Sequence, residues 1–232
     1  IANMNYELNQ KYEQLKKLIE KLDSAIIAFS GGVDSALVLK VAFDVLKENA
    51  VAVTADSPSL PRRELNETKR IAQQIGVRHL VINTNETENE NYLKNPNNRC
   101  YYCKSELYIK LKNISKRLGI KNIVNGTNFD DLSDYRPGLK AADENNIISP
   151  LKDAKLTKNE IREIAKHLGL EIWGKPSSPC LSSRVPYGRE ITLKKLSMIE
   201  SAENFLKDFG IRELRVRHFG SAARIEVNES GE

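Results

Sequence analysis

The chain has 232 residues, 40% of them hydrophobic and 29% charged, with a net charge of +5. That length supports one sizeable core, or one core with a small appended unit, and the charge favours an anionic partner such as a nucleotide without requiring one. No apolar run reaches the roughly 20 residues that a membrane-spanning helix needs, and three cysteines are too few for a disulfide framework.

The three residues before Met4 read as extraneous, with Met4 as the native start. The polar, charged N-terminus lacks a signal-peptide pattern, so a cytoplasmic location is expected. Leu8, Tyr12, Leu15, Ile19 and Leu22 then recur at helical spacing over residues 7–22. "SAIIAFS" is a short buried strand ending in Ser30. Residues 34–47 suit a helix with Leu37, Val41 and Val45 on one face. "AVAVTAD" is a second strand, and Pro61 suits the first turn of a helix running to about Gly76. "RHLVIN" is a third strand. A helix follows over 104–118, then a fourth strand in "KNIVNGTN", and "NIISPL" offers a fifth.

Strands alternating with helices predict an α/β fold, a doubly wound and mostly parallel sheet. In such sheets ligands bind beyond the carboxyl ends of the strands, where Ser30, Asp56 and Asn128 fall. Thr157 and Glu160 form a capping box opening a helix that ends near Gly169. "EIWGKPSSPCLSSRVPYGRE" is a proline-punctuated loop. Thr192 caps a further helix carrying Leu196, Ile199, Phe205, Leu206 and Phe209. "ELRVRHF" and "AARIEV" alternate around Gly220 and Ser221 and predict a hairpin. These last elements predict a small C-terminal α+β domain. The expected domains are 4–174 and 175–232.

"AFSGGVDS" joins the first strand to a helix. Gly31 and Gly32 allow a tight turn that bares backbone N–H groups, which together with the helix N-terminus make an anion cradle. Ser30 and Ser35 add hydroxyls. The Gly-Lys-Ser/Thr ending of a Walker loop is absent. The stretch resembles the SGGxDS loop of the PP-loop ATP pyrophosphatase superfamily, with Asp34 as its fixed acid. That resemblance implies a loop that binds the leaving pyrophosphate, with ATP split between its α and β phosphates and Mg2+ accompanying it. Sheet logic and the same resemblance together imply that the adenine of ATP lies against Ala28, Phe29, Thr54, Ala55, Asp56, Gly126 and Thr127.

"NRCYYCK" spaces Cys100 and Cys103 as a Cys-x-x-Cys at a helix start, and Cys180 stands alone downstream. A redox dithiol, half a zinc site and part of an iron–sulfur site all use such a pair. The helix N-terminus, Arg99 and Lys104 would lower the thiol pKa in each case. Zinc lacks a second pair and no histidine has ligand spacing, whereas a redox pair leaves Cys180 unexplained. Three thiolates round a cubane, with one iron open, would use every cysteine.

"KPSSPCLSSRVPYG", "DYRPGL" and the C-terminal "RVR" resemble the ATP-dependent sacrificial sulfur transferase (LarE) family, a branch of the PP-loop superfamily. The likeness spans nearly the whole chain, from "AFSGGVDS" to "ARIEV". It implies adenylylation of a carboxylate of a pyridinium mononucleotide, a precursor of the nickel-pincer nucleotide cofactor, followed by sulfur insertion. Cys100, Cys103 and Cys180 match the members that hold a [4Fe–4S] cluster able to carry an extra sulfide. Other members sacrifice a single cysteine, the part Cys180 would play without a cluster. Ser30, Asp34 and Cys180 are the catalytic candidates. The substrate is itself a mononucleotide and needs a second phosphate site. A period of two puts Arg215 and Arg217 on one face of a strand, where two guanidiniums suit a phosphate; the family uses the matching arginines so, with Ser183. Arg184 and Arg224 are further candidates. Arg136 in "DYRPGL" is the candidate to steady either the ATP phosphates or the acceptor carboxylate. Glu203 matches a family acid and is the candidate ligand for a divalent cation. The resemblance also implies a homo-oligomer, a trimer or hexamer, and a sulfide or other sulfur donor as partner.

A cluster-dependent transfer-RNA thiolase is the competing enzyme class, but aromatic–basic interleaving is sparse and a nucleic-acid partner is not expected. A non-enzymatic ATP- and cluster-binding sensor is the alternative outside catalysis, and it has no need of a pyrophosphate-release loop.

Overall fold

The computed structural model describes residues 4–211 and 213–227; the first three residues and the "NESGE" tail lie outside them. Helix α1 (Tyr6–Glu20) leads into strand β1 (Ala25–Ala28), helix α2 (Val33–Leu46), strand β2 (Ala50–Asp56), helix α3 (Arg62–Ile75) and strand β3 (Arg78–Asn83). A one-turn helix α4 (Glu90–Leu93) precedes the long α5 (Arg99–Leu118) and strand β4 (Asn122–Val124). Helices α6 (Pro137–Glu144), α7 (Pro150–Asp153) and α8 (Lys158–His167) follow, and α9 (Leu193–Asp208) packs on a hairpin of β5 (Leu214–His218) and β6 (Ala223–Val227).

The main sheet is parallel, in the order β3-β2-β1-β4. Alternation along β1 divides the core. Ala25 and Ile27 face a cluster with α1, α2 and α8, while Ile26 joins Val51 and Val53 against α5 and α6. The sheet is thus covered on both faces, as the α/β pattern predicts. The chain winds outward from β1 through β2 to β3, then returns across the sheet to place β4 on the other side of β1. That reversal sets a switch point between β1 and β4, and a crevice opens beyond their carboxyl ends.

The expected fifth strand reduces to one parallel bridge, between Val124 and Ile148. Two residues later Pro150, which has no N–H to extend the ladder, opens α7 instead. Helix α5 begins five residues before the expected start, so Cys100 and Cys103 lie within its first two turns. The capping box at Thr157 and Glu160 forms as read, as does the Thr192 cap. Helix α9 buries Leu196, Ile199 and Glu203 but leaves Phe205, and Phe209 just past its end, exposed. Its apolar half packs on Leu181, Val185 and Ile191 from the cysteine loop, and this cluster also takes in Tyr92.

Candidate active site

The phosphate loop is held by its own hydroxyls. Ser35 Oγ donates to the Gly32 carbonyl at 3.0 Å and stands 3.1 Å from Ser30 Oγ. Gly31 takes a φ of +75°, a left-handed conformation that a side chain would strain. Gly126, at the end of β4, comes so close that a Cβ there would sit 2.7 Å from the Ser35 backbone nitrogen. Asp34 Oδ2 accepts from Lys158 Nζ at 2.6 Å, and Asp34 Oδ1 is buried with no hydrogen-bond partner among the described residues.

Ser30 and Asp34 share one cavity of about 370 Å3 with Cys100, Cys103 and Cys180. Helix α5 brings two of the thiols to its rim, and the loop after Lys175 brings the third. None is disulfide-bonded. The expectation of a lowered thiol pKa for the α5 pair fails at Cys103. Burial pushes the Cys103 thiol up, with Glu86 adding to it, and burial likewise raises Cys180. Lys104 and Arg99 do pull the other way, but desolvation of the thiolate outweighs them.

The cysteine loop is clamped from behind. Arg184 donates to the carbonyls of Pro179 and Cys180, and its Nε reaches Glu203 Oε1 at 2.8 Å. Glu203 Oε2 takes the other guanidinium branch at 3.2 Å, and Oε1 also accepts from the Val216 N–H. Both side chains of this ion pair are under 5% exposed, at 4% and 3%. From the front, Lys175 Nζ donates to the Gly31 carbonyl at 3.3 Å and to Glu64 at 2.7 Å, tying the cysteine loop to the phosphate loop.

The other candidates divide among neighbouring cavities. Ala28, Phe29, Thr54 and Ala55 line a small one together with Cys103 and Cys180. Gly126, Thr127 and Arg136 line a larger one that again includes Ser30, Asp34 and Cys100. Arg136 is paired with Asp131 at 3.0 Å. Asp56 turns away to Arg62. Arg215 opens on a cavity with Arg184, Lys175 and Ser178. Arg215 and Arg217 do share a face of the hairpin, but Arg217 and Arg224 both donate to Glu226 Oε1 at 2.7 Å. Arg217 also reaches the Ser183 carbonyl at 3.2 Å.

A family model of NAD synthase matches residues 7–124. A pyridinium-3,5-bisthiocarboxylic acid mononucleotide synthase of Lactiplantibacillus plantarum is 34% identical, with 96% of this chain aligned to 81% of that protein. The chain belongs to the LarE family of PP-loop proteins. It is an ATP-dependent sulfurtransferase by that membership. An uncharacterized Synechocystis protein is 50% identical over 95% of this chain and 82% of its own length. An uncharacterized Methanocaldococcus jannaschii protein is 34% identical over 93% and 85%.

Within the LarE framework, Lys158 and Lys175 are additions that the sequence did not single out. Each is an unremarkable charge by pattern, one opening a helix and one entering a loop. Only tertiary placement aims them at the phosphate loop, across 124 and 144 residues. Among the described residues no helix is long and apolar enough to cross a membrane.

Proposed function

We propose that this protein adenylylates a carboxylate of a pyridinium mononucleotide and converts it to a thiocarboxylate, working in the cytoplasm as a homo-oligomer. The observation that carries the reading is the single cavity in which Ser30 and Asp34 of the phosphate loop meet all three cysteines. Activation and sulfur delivery then need no transport between sites. Residues 4–174 would hold ATP, and 175–232 the acceptor.

The backbone N–H groups after Ser30, with the Ser30 and Ser35 hydroxyls, would hold the β and γ phosphates. Lys158 and Lys175 bring positive charge to the same place, where negative charge grows as pyrophosphate leaves. The unpartnered Asp34 Oδ1 suits a divalent cation such as Mg2+ travelling with ATP. The acceptor's carboxylate oxygen attacks the α phosphorus, pyrophosphate departs, and sulfur then displaces AMP at the acyl carbon. Arg215, with Ser183 and Arg217, would hold the acceptor's own phosphate, and Arg217 would exchange Glu226 for it.

Among the described residues no three His, Cys, Asp or Glu side chains converge closely enough for a single metal ion. A cubane presents its irons at separate corners, so thiols spread round one cavity suit it better than one ion. Cys100, Cys103 and Cys180 would hold a [4Fe–4S] cluster, and when bound it would supply the sulfur to be transferred. A divalent cation at Glu203 does not fit, because both carboxylate oxygens are taken by Arg184; no step is assigned to one.

The test is an anaerobic incubation with ATP, sulfide and pyridinium-3,5-biscarboxylic acid mononucleotide, followed by product mass. Exchange of one carboxylate oxygen for sulfur, with AMP and pyrophosphate formed in equal amounts, is expected. Pyrophosphate release without any sulfur-containing product would sink this reading.

A further inference from the structure

Glu86 is buried without being fully used. It is 1% exposed, and Oε1 accepts from Ser59 Oγ at 2.9 Å. Oε2 is buried and has no hydrogen-bond partner among the described residues. Lys104 lines the same cavity but makes no ion pair with it among those residues. A buried carboxylate oxygen without a donor is costly. Such an atom calls for an ordered water or a ligand that brings the missing donor.

The cavity that Glu86 lines has a volume of about 140 Å3 and largely apolar walls. Ala28 and Phe29 from the end of β1, Val53 and Ala55 from β2, and Leu107 from α5 form them. Ser30 lines it too, so it opens beside the phosphate loop. A flat, mostly apolar ring attached to phosphates at Ser30–Ser35 would be buried here with one edge on Glu86. A purine with its amino group at C6 supplies the donor that Oε2 lacks. Guanine seated the same way would turn its C6 carbonyl oxygen toward the carboxylate, and two acceptors repel.

We infer that Glu86 is the residue that selects adenine over guanine, its Oε2 accepting a hydrogen bond from the 6-amino group of ATP. The inference rests on the ATP-dependent reading above and assigns the base-reading contact within it. Ser59 has a second part in this arrangement. Its hydroxyl holds Oε1, while its carbonyl accepts from the Leu181 N–H at 2.8 Å, next to Cys180. The base reader and the cysteine loop therefore share one support.

The experiment is calorimetric binding of α,β-methylene ATP and of the matching purine-riboside analogue, which lacks only the 6-amino group. The wild-type protein should prefer the ATP analogue by roughly tenfold or more, the loss expected for a hydrogen bond to a charged group. In Glu86→Ala that ratio should fall to near one. Because the ratio is taken within one protein, a general loss of affinity cancels. Glu86→Gln, which keeps the shape, covers the case in which the alanine variant does not fold. Its amide can donate to a carbonyl, so it should bind the guanine analogue, α,β-methylene GTP, better than the wild type does. A ratio unchanged in Glu86→Ala, or an unchanged guanine affinity in Glu86→Gln, overturns the inference while leaving the ATP reading intact. Failure of the wild-type protein to bind the ATP analogue at all overturns both.

Discussion

Lys158 Nζ lies 2.6 Å from Asp34 Oδ2, joining the first turn of α8 to the first turn of α2 at the mouth of the phosphate loop. The Lys158 side chain is 36% exposed, so the pair contributes little to stability. Its value is positional. Replacing Lys158 by Gln should lower ATP–pyrophosphate exchange by about 10²–10³-fold, as for loss of one preorganised charge-stabilising donor, and Lys158→Arg should restore part of it. Unchanged thermal melting beside the lost exchange would show that the charge, not the fold, was removed.

A second prediction concerns Gly126. A methyl group there would stand 2.7 Å from the Ser35 nitrogen and 2.9 Å from its Cα, both backbone atoms that cannot rotate away. The Gly126→Ala variant must push β4 and the phosphate loop apart, at about 1–3 kcal/mol of overpacking. Weaker nucleotide binding should accompany the lower melting temperature. Wild-type ATP affinity in a folded variant would contradict the close approach.

The main sheet was legible because its strands are short, β-branched-rich runs bounded by clear helix signals. "AVAVTAD" and "RHLVIN" match β2 and β3 residue for residue. The phosphate loop was legible because its chemistry needs fixed residues at fixed spacing. What failed depends on partners distant in the chain. Ile148 pairs with Val124 once, then yields to Pro150. Phe205 and Phe209 carry helical spacing, yet the cluster formed by Leu181, Val185 and Ile191 covers only the start of α9. Burial of Cys103 and Cys180 outweighs the nearby cations, and no local pattern reports burial.

Glu203 separates a structural role from a metal-binding one. Removing one partner of a buried pair strands the other charge, at about 3–5 kcal/mol. Glu203→Ala should therefore melt markedly lower, whether or not divalent cations are present. It should also release Arg184 from the carbonyls of Pro179 and Cys180, disordering the cysteine loop. A melting temperature that depends on added Mg2+ in the wild type but not in this variant would argue for a cation instead.

His79 gives a pH dependence. Its Nε2 lies 2.8 Å from Thr54 Oγ1, which itself donates to the Phe29 carbonyl. Burial, with help from Lys69, holds its pKa below the usual histidine value. The unfolded chain then binds a proton that the folded chain refuses, so stability rises with pH through that window. As pH falls below about 6.5, the ordinary histidine value, stability should decline. Denaturant titrations at pH 7.5 and pH 5.5 compare the two. His79→Gln should flatten the part of the slope due to this residue, and an equal slope in both proteins would show that other groups carry it.

The cysteines make the last prediction, and it has two readouts. In metal-free protein the thiolate is the reactive form, and burial keeps Cys103 and Cys180 protonated. Iodoacetamide at pH 8 should therefore label Cys100, which is exposed, well before the other two. Their rates should climb only as the pH rises toward their raised values. Anaerobic reconstitution with iron and sulfide should then protect all three from labelling, since a thiolate bound to iron is no longer free to react. Replacing any one cysteine by Ala should reduce bound iron and abolish sulfur transfer while leaving pyrophosphate exchange near wild type, because Ser30, Asp34 and Lys158 are untouched. If Cys180→Ala lost transfer but Cys100→Ala and Cys103→Ala kept it, Cys180 would be giving up its own sulfur. In that case each protein molecule would turn over once, and the α5 pair would be bystanders.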